Sequence, residues 1–170
     1  MLRTPKRITR PYLDNAALAY LERFSSSAEN LRRVLMRKVE RSCRHHGEDP
    51  NDYAGLVAEV VQRCARNGLI DDRRYAEGRV ASLRRRGGST RAIAARLDRK
   101  GVERDVIEAA LAADETDDRA AAQAFARRRR IGPYRTGDRA AYREKDLAAF
   151  ARAGFGYAVA RAVIDGEAED

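Results

Sequence analysis

Residues 93–111 read IAARLDRKGVERDVIEAAL, and residues 146–164 read DLAAFARAGFGYAVARAVI, a spacing of 53. At that spacing Leu97, Gly101, Val102, Val106 and Leu111 become Phe150, Gly154, Phe155, Val159 and Ile164. The order is the same twice: an apolar helix face, a glycine stop, an apolar re-entry and a second apolar helix face. A weaker copy lies upstream, where Leu31, Leu35 and Lys38 match Ile93, Leu97 and Lys100 at an offset of 62. Internal repetition of this kind is the signature of stacked helical units, each too small to bury its apolar face alone. The pattern predicts an all-α chain of three tandem three-helix, helix-turn-helix-like repeats in an elongated, curved array. It also predicts a binding surface spread along that array rather than one catalytic pocket.

The breakers between the copies set the boundaries. Residues 1–12 form a basic arm with Arg3, Lys6, Arg7 and Arg10, where Pro5 and Pro11 argue against helix; this arm is expected to be flexible. Repeat 1 spans 13–68. Asp14 is its first N-cap candidate, Ser26 with Glu29 has capping-box spacing, and Asp49 before Pro50 is a further start signal. The run Tyr53, Leu56, Val57, Val60, Val61 and Cys64 has the spacing of a buried helix face. Repeat 2 spans 69–113: Asp71 or Asp72 caps its first helix and Ser89 or Thr90 its second. Repeat 3 spans 114–165, opening near Asp117 and broken by Gly132, Pro133 and Gly137. Residues 166–170 are an acidic tail.

Composition agrees with helices. Of the 170 residues 36% are charged and only 6% aromatic, with no Trp, so Ala and the aliphatic residues must fill the core. The 35 basic and 26 acidic residues leave a net charge of +9, which points to a polyanionic partner, most simply nucleic acid. No apolar run approaches the ~18 residues of a membrane span. The N-terminus lacks the apolar core of a secretory signal. The two cysteines make no disulfide framework, so a reduced, cytoplasmic protein is expected.

Enzymatic chemistry finds little support. Cys43, His45, His46 and Cys64 lack the paired spacing of a zinc site, and Cys64 lies on an apolar stripe. The pairs Asp71-Asp72 and Asp117-Asp118 stand where helices begin, where a carboxylate meets open amides and the helix dipole. The stretch Gly87-Gly88-Ser89-Thr90 follows a helix rather than a strand and is not a P-loop. No metal or cofactor is expected. Basic clusters remain. Arg84, Arg85 and Arg86 close the first helix of repeat 2, and Arg91 opens the second. Arg127, Arg128, Arg129 and Arg130 close the first helix of repeat 3, followed by Arg135, Arg139, Arg143 and Lys145. A helix dipole accounts for one or two such charges, not runs of three and four. At matching places in stacked repeats they predict a stripe that tracks a phosphate backbone without reading bases.

One block is more specific. Gly68-Leu69-Ile70-Asp71-Asp72-Arg73-Arg74-Tyr75-Ala76 resembles the G-aliphatic-aliphatic-D-D-x-x-Y-A signature of the RecX family, bacterial regulators of the RecA recombinase. Ile93, Leu97, Lys100, Gly101 and Val102 are similar to its second-repeat helix ending in Lys-Gly-aliphatic. Phe150, Gly154, Phe155 and Tyr157 are similar to its F-x-x-x-G-F-x-Y block, and Ala17, Leu18, Leu21, Ser27 and Leu31 also fit. The resemblance covers residues 14–165. It departs in repeat 1, where Lys38-Val39-Glu40 replaces the usual Lys-Gly pair.

The resemblance implies three tandem three-helix repeats and binding to the RecA filament on DNA. It further implies inhibition of RecA ATPase, strand-exchange and coprotease activities by a monomer that is not an enzyme. Its partners would be the RecA filament and single- or double-stranded DNA, with no membrane and no cofactor. The alternative is a helix-turn-helix protein acting directly on DNA without RecA. The absence of an obvious dimerisation helix argues against that form.

Overall fold

The computed structural model describes residues 4–168, and every regular element among them is helical. Arg3 of the basic arm, and Glu169 and Asp170 of the acidic tail, lie outside the described residues. The helices are α1 (Arg10–Leu21), α2 (Ala28–His46) and α3 (Ala54–Arg66); α4 (Asp72–Arg84), α5 (Thr90–Arg99) and α6 (Arg104–Ala112); and α7 (Asp118–Arg129), α8 (Arg139–Arg152) and α9 (Tyr157–Ile164). They therefore follow one another as three tandem triplets. Single 3-10 turns at Pro50–Tyr53 and Gly132–Tyr134 precede α3 and α8. The chain divides into two compact units. The first holds the residues up to Tyr75 together with Lys100–Val102, and the second holds Ala76–Arg99 together with the residues from Glu103 onward.

In the first unit α1, α2 and α3 close around Leu13, Ala17, Leu31, Leu35, Val39, Val57, Val60 and Cys64, all buried. The 3.6-residue period of the apolar positions dictates that packing. Cys43 and Cys64 are both free and buried, and burial pushes both thiols up from their ordinary values. They are core residues.

Three expectations for this region need correction. The arm does not stay outside the fold: α1 begins at Arg10, capped by Thr9 rather than Asp14, with Pro11 in the first turn. Proline is tolerated there because the first-turn amides have no partner within the helix. Asp14 lies inside α1, 2.9 Å from Arg63. Ile8 is buried, the Ser42 hydroxyl donates to the Lys6 carbonyl, and His46 Nε2 lies 3.0 Å from the Pro5 carbonyl. Residues 5–8 are thus strapped along the end of α2. The α2 cap is Ser27, which accepts from the Asn30 amide, and not Ser26. Glu29 pairs instead with Arg32 and Arg33, whose guanidinium groups lower its pKa to about 2. The missing Lys-Gly of repeat 1 also has an explanation. Helix α2 runs 19 residues against 10 for α5, and its stop comes at Gly47, with φ +71°. The first repeat keeps the glycine stop and defers it.

The N-terminus of α2 is a joint. Its first amide, Ala28 N–H, donates to Asp72 Oδ1 at 2.7 Å, so Asp72 caps a helix other than its own. Its neighbour Asp71 caps α4 locally through the Arg74 amide. The Ser27 hydroxyl donates to the Lys100 carbonyl, and Lys100 Nζ donates to Asn30 Oδ1. Gly101 packs so close that a Cβ there would lie 2.2 Å from Glu29 Cγ, and its φ is +71°. Only glycine fits both demands.

The second unit repeats this joint. Thr90 N–H, the first amide of α5, donates to Asp118 Oδ1 at 2.8 Å. Ser89 accepts from the Ala92 amide and donates to the Ala153 carbonyl at 2.8 Å. Gly154, at φ +87°, stands where Gly101 stood. Asp117, like Asp71, caps its own helix. Beyond the joint, Phe125, Phe150 and Phe155 pack with ring centroids 5.1–5.6 Å apart among Ala121, Ala122, Ala126, Val163 and Ile164. The buried carboxylate of Asp146 is held by the Gly132 amide and by Arg135.

Candidate functional site

The arginines of the expected stripe divide into those that build the second unit and those that face outward. Arg84 leaves the surface altogether. Its side chain is 5% exposed and ion-pairs with Asp114 at 3.1 Å and Asp118 at 2.6 Å. It also donates to the Gly88 carbonyl and the Thr90 hydroxyl. A guanidinium with those four partners has no geometry left for an external phosphate. Burial opposes ionisation of Asp118, but the hydrogen bonds from Arg84 and Thr90 outweigh it and hold its carboxyl below the ordinary range.

Three further members also have internal partners. Arg135 pairs with Asp146 and lies 4.4 Å over the Tyr142 ring. Arg139 donates to the Ile164 and Gly166 carbonyls at the end of α9. Arg143 makes a bidentate pair with Asp165, which lowers the carboxyl pKa and raises that of the guanidinium.

Arg85, Arg86, Arg91, Arg128, Arg130 and Lys145 are exposed, as are Arg127 and Arg129. Arg127 lies over Tyr134 and Arg129 over Phe125, both within cation–π range. The run 127–130 cannot form one stripe, because consecutive helix positions point about 100° apart. It distributes its charges around the end of α7. Arg130 ends that helix in the left-handed region, with φ 53°.

The outward cations gather on two neighbouring clefts of the second unit. The first, about 450 Å³, is walled by Arg86, Arg96, Arg99 and Arg128 over an apolar floor of Leu83, Ile93 and Phe125. The second, about 420 Å³, holds Arg129, Arg135, Lys145 and Arg152. Phe125 and Ala153 line both clefts. Asp146 is the single acidic side chain lining either, and Arg135 already engages it. Low-dielectric walls bearing one sign of charge focus the field outward, which concentrates and steers anions.

Sequence reading missed Arg96, Arg99 and Arg152. Each stands among residues of mixed charge, so no run marks it. One signal existed: Arg99 and Arg152 occupy equivalent places at the 53-residue spacing.

The family-motif residues are structural. Gly68 has φ +72° past the end of α3; Asp71, Asp72, Lys100, Gly101 and Gly154 build the two joints; Tyr75, Phe150 and Phe155 are buried. Tyr157 is the exception, 66% exposed at the start of α9. Among the described residues no group of three potential metal ligands converges, and no helix is long and apolar enough to cross a membrane.

Comparison with known proteins matches this arrangement to one family. The model of the second three-helix domain of RecX fits residues 71–111, the segment that opens on Asp71 and Asp72. The regulatory protein RecX of Myxococcus xanthus is 43% identical over 165 residues, covering 95% of this chain and 88% of its own. That of Agrobacterium fabrum is 37% identical over 160 residues, covering 92% of this chain and 85% of its own. That of Mycobacterium ulcerans is 32% identical over 165 residues, covering 96% and 91%. Joint-forming motifs, helical triplets and full-length similarity agree, and the chain belongs to the RecX family of regulatory proteins.

Proposed function

We propose that this chain is a non-enzymatic, cytoplasmic regulator that binds the RecA filament on DNA as a monomer. In this reading it damps RecA ATP hydrolysis, strand exchange and coprotease activity. The observation that carries the proposal is the paired cationic clefts, whose one acid is neutralised internally, on a chain of the RecX family. The clefts supply the phosphate contacts. Arg85, Arg86, Arg91, Arg96, Arg128, Arg130, Arg152 and Lys145 are the residues assigned to them, with Arg127 and Arg129 beside them. Arg135, Arg139 and Arg143 serve mainly to hold the surface in place. Contacts of this kind set affinity rather than sequence preference and weaken with salt.

The test is RecA ATP hydrolysis on single-stranded DNA, with the chain titrated from substoichiometric to equimolar. Hydrolysis should slow in proportion. The triple reversal R86E/R96E/R152E should relieve the inhibition while keeping the helical circular-dichroism spectrum. No effect of the unmodified chain on any RecA activity would overturn the proposal. Tight DNA binding without such an effect would instead favour a protein that acts on DNA directly.

A further inference from the structure

The first cationic cleft is more than a phosphate track, because its floor is apolar. A surface that met only phosphates would gain nothing from Leu83, Ile93 and Phe125 at the base of a 450 Å³ recess. Cations at the rim and hydrocarbon at the floor match a ligand that is anionic along one edge and flat and apolar along another. A nucleotide has that character: its phosphate is charged and its base has two poorly hydrated faces. In a duplex those faces are covered by stacking and the bases are turned inward, so only an unpaired strand can offer one. Base contact of this sort is sequence-tolerant, since every base has such a face.

Resting on the nucleic-acid reading of this surface, we infer that this cleft receives one unstacked nucleotide of a single strand. Its base lies against Ile93 and Phe125, and its flanking phosphates meet Arg86, Arg96 and Arg128. The second cleft, sharing the Phe125 wall, carries the strand onward past Arg129, Lys145 and Arg152 through phosphate contacts. The surface thereby selects single-stranded over double-stranded nucleic acid by shape, with no hydrogen bond to a base edge.

Affinity of the full chain is measured by fluorescence anisotropy for a labelled oligothymidylate, for an abasic strand of the same length and charge, and for a duplex. The abasic strand and the duplex should each bind at least tenfold more weakly than the oligothymidylate. Ala95 is exposed on α5 and lines the recess. The substitution A95W should fill the recess without removing a cation. It should lower oligothymidylate binding to the abasic level and leave abasic binding unchanged. Equal affinity for thymidylate and abasic strands would overturn the nucleotide recess while leaving the phosphate reading in place. Binding of none of the three would overturn both. Displacement of the strand by thymidine monophosphate at comparable concentration would overturn the strand assignment in favour of a free nucleotide. The abasic comparison needs no variant, so a misfolded A95W does not shelter the inference.

Discussion

The two joints use one hydrogen-bond pattern and are secured differently. At each, a serine caps its own helix and donates to a carbonyl at the glycine turn that follows. At each, an aspartate that opens another helix reaches the first amide: Asp72 to Ala28 and Asp118 to Thr90. The second joint adds a buried cation, Arg84, that binds Asp114 and Asp118 together. The position 62 residues earlier is Glu22, exposed at the end of α1. The first joint relies instead on close approach, with Gly101 against the Glu29 stem. One pattern of polar contacts is thus fastened by charge in one place and by steric fit in the other.

The largest expected effect is at Arg84. Substitution to Ala leaves two carboxylates facing each other in a partly closed site, and breaking a buried pair costs about 3–5 kcal/mol. Urea unfolding should show that loss for R84A. The reversal at the equivalent exposed site, E22A, should change stability by less than about 0.5 kcal/mol. Equal losses would mean that the cation does not distinguish the joints.

Glycine substitution should rank the joints the other way. Each Ala takes on a left-handed conformation, costing about 1–2 kcal/mol. G101A adds a clash with Glu29 Cβ at 2.5 Å, which belongs to the helix stem and cannot swing aside. In G154A the nearest atom is the Ser89 hydroxyl at 2.7 Å. Thermal unfolding should therefore place G101A below G154A, and the opposite order would break the contrast.

Serine substitution should affect the joints alike. S27A and S89A each lose a cap, at about 1 kcal/mol, and a donor to a turn carbonyl. A clear inequality between them would show that the shared pattern is not equally strained.

Acid should separate the joints slightly. The folded pKa of Asp118 is depressed, so its contribution is present above its ordinary value near 4 and fades as pH falls through the lower folded value. The stability gap between the unmodified chain and D118N should narrow from about pH 5 downward. A gap independent of pH would remove the charge argument for the second joint.

Much of this fold could be read in the chain because the informative residues are local. The periodicity around Leu97 and Phe150, the glycine stops and the carboxylate pairs each announce themselves within a few positions. Asp72 and Asp118 could not be resolved further, since a carboxylate in a helix's first turn looks the same whether it caps its own amides or those of a distant helix. Arg84 was misread for a related reason. In a run of three arginines nothing marks the buried one; only the helix phase relative to Asp114 and Asp118 selects it. The interface suffered the converse: Arg96, Arg99 and Arg152 are scattered in sequence and meet only through packing.

Ala153, whose carbonyl accepts the Ser89 hydroxyl, also lines both cationic clefts. The last carbonyls of a helix carry about half a negative charge between them, and α8 ends there. Left bare, that end would set a patch of repulsion beneath any incoming anion. The serine proton covers part of it, so a contact that fastens two helices also quiets the floor on which the arginines work.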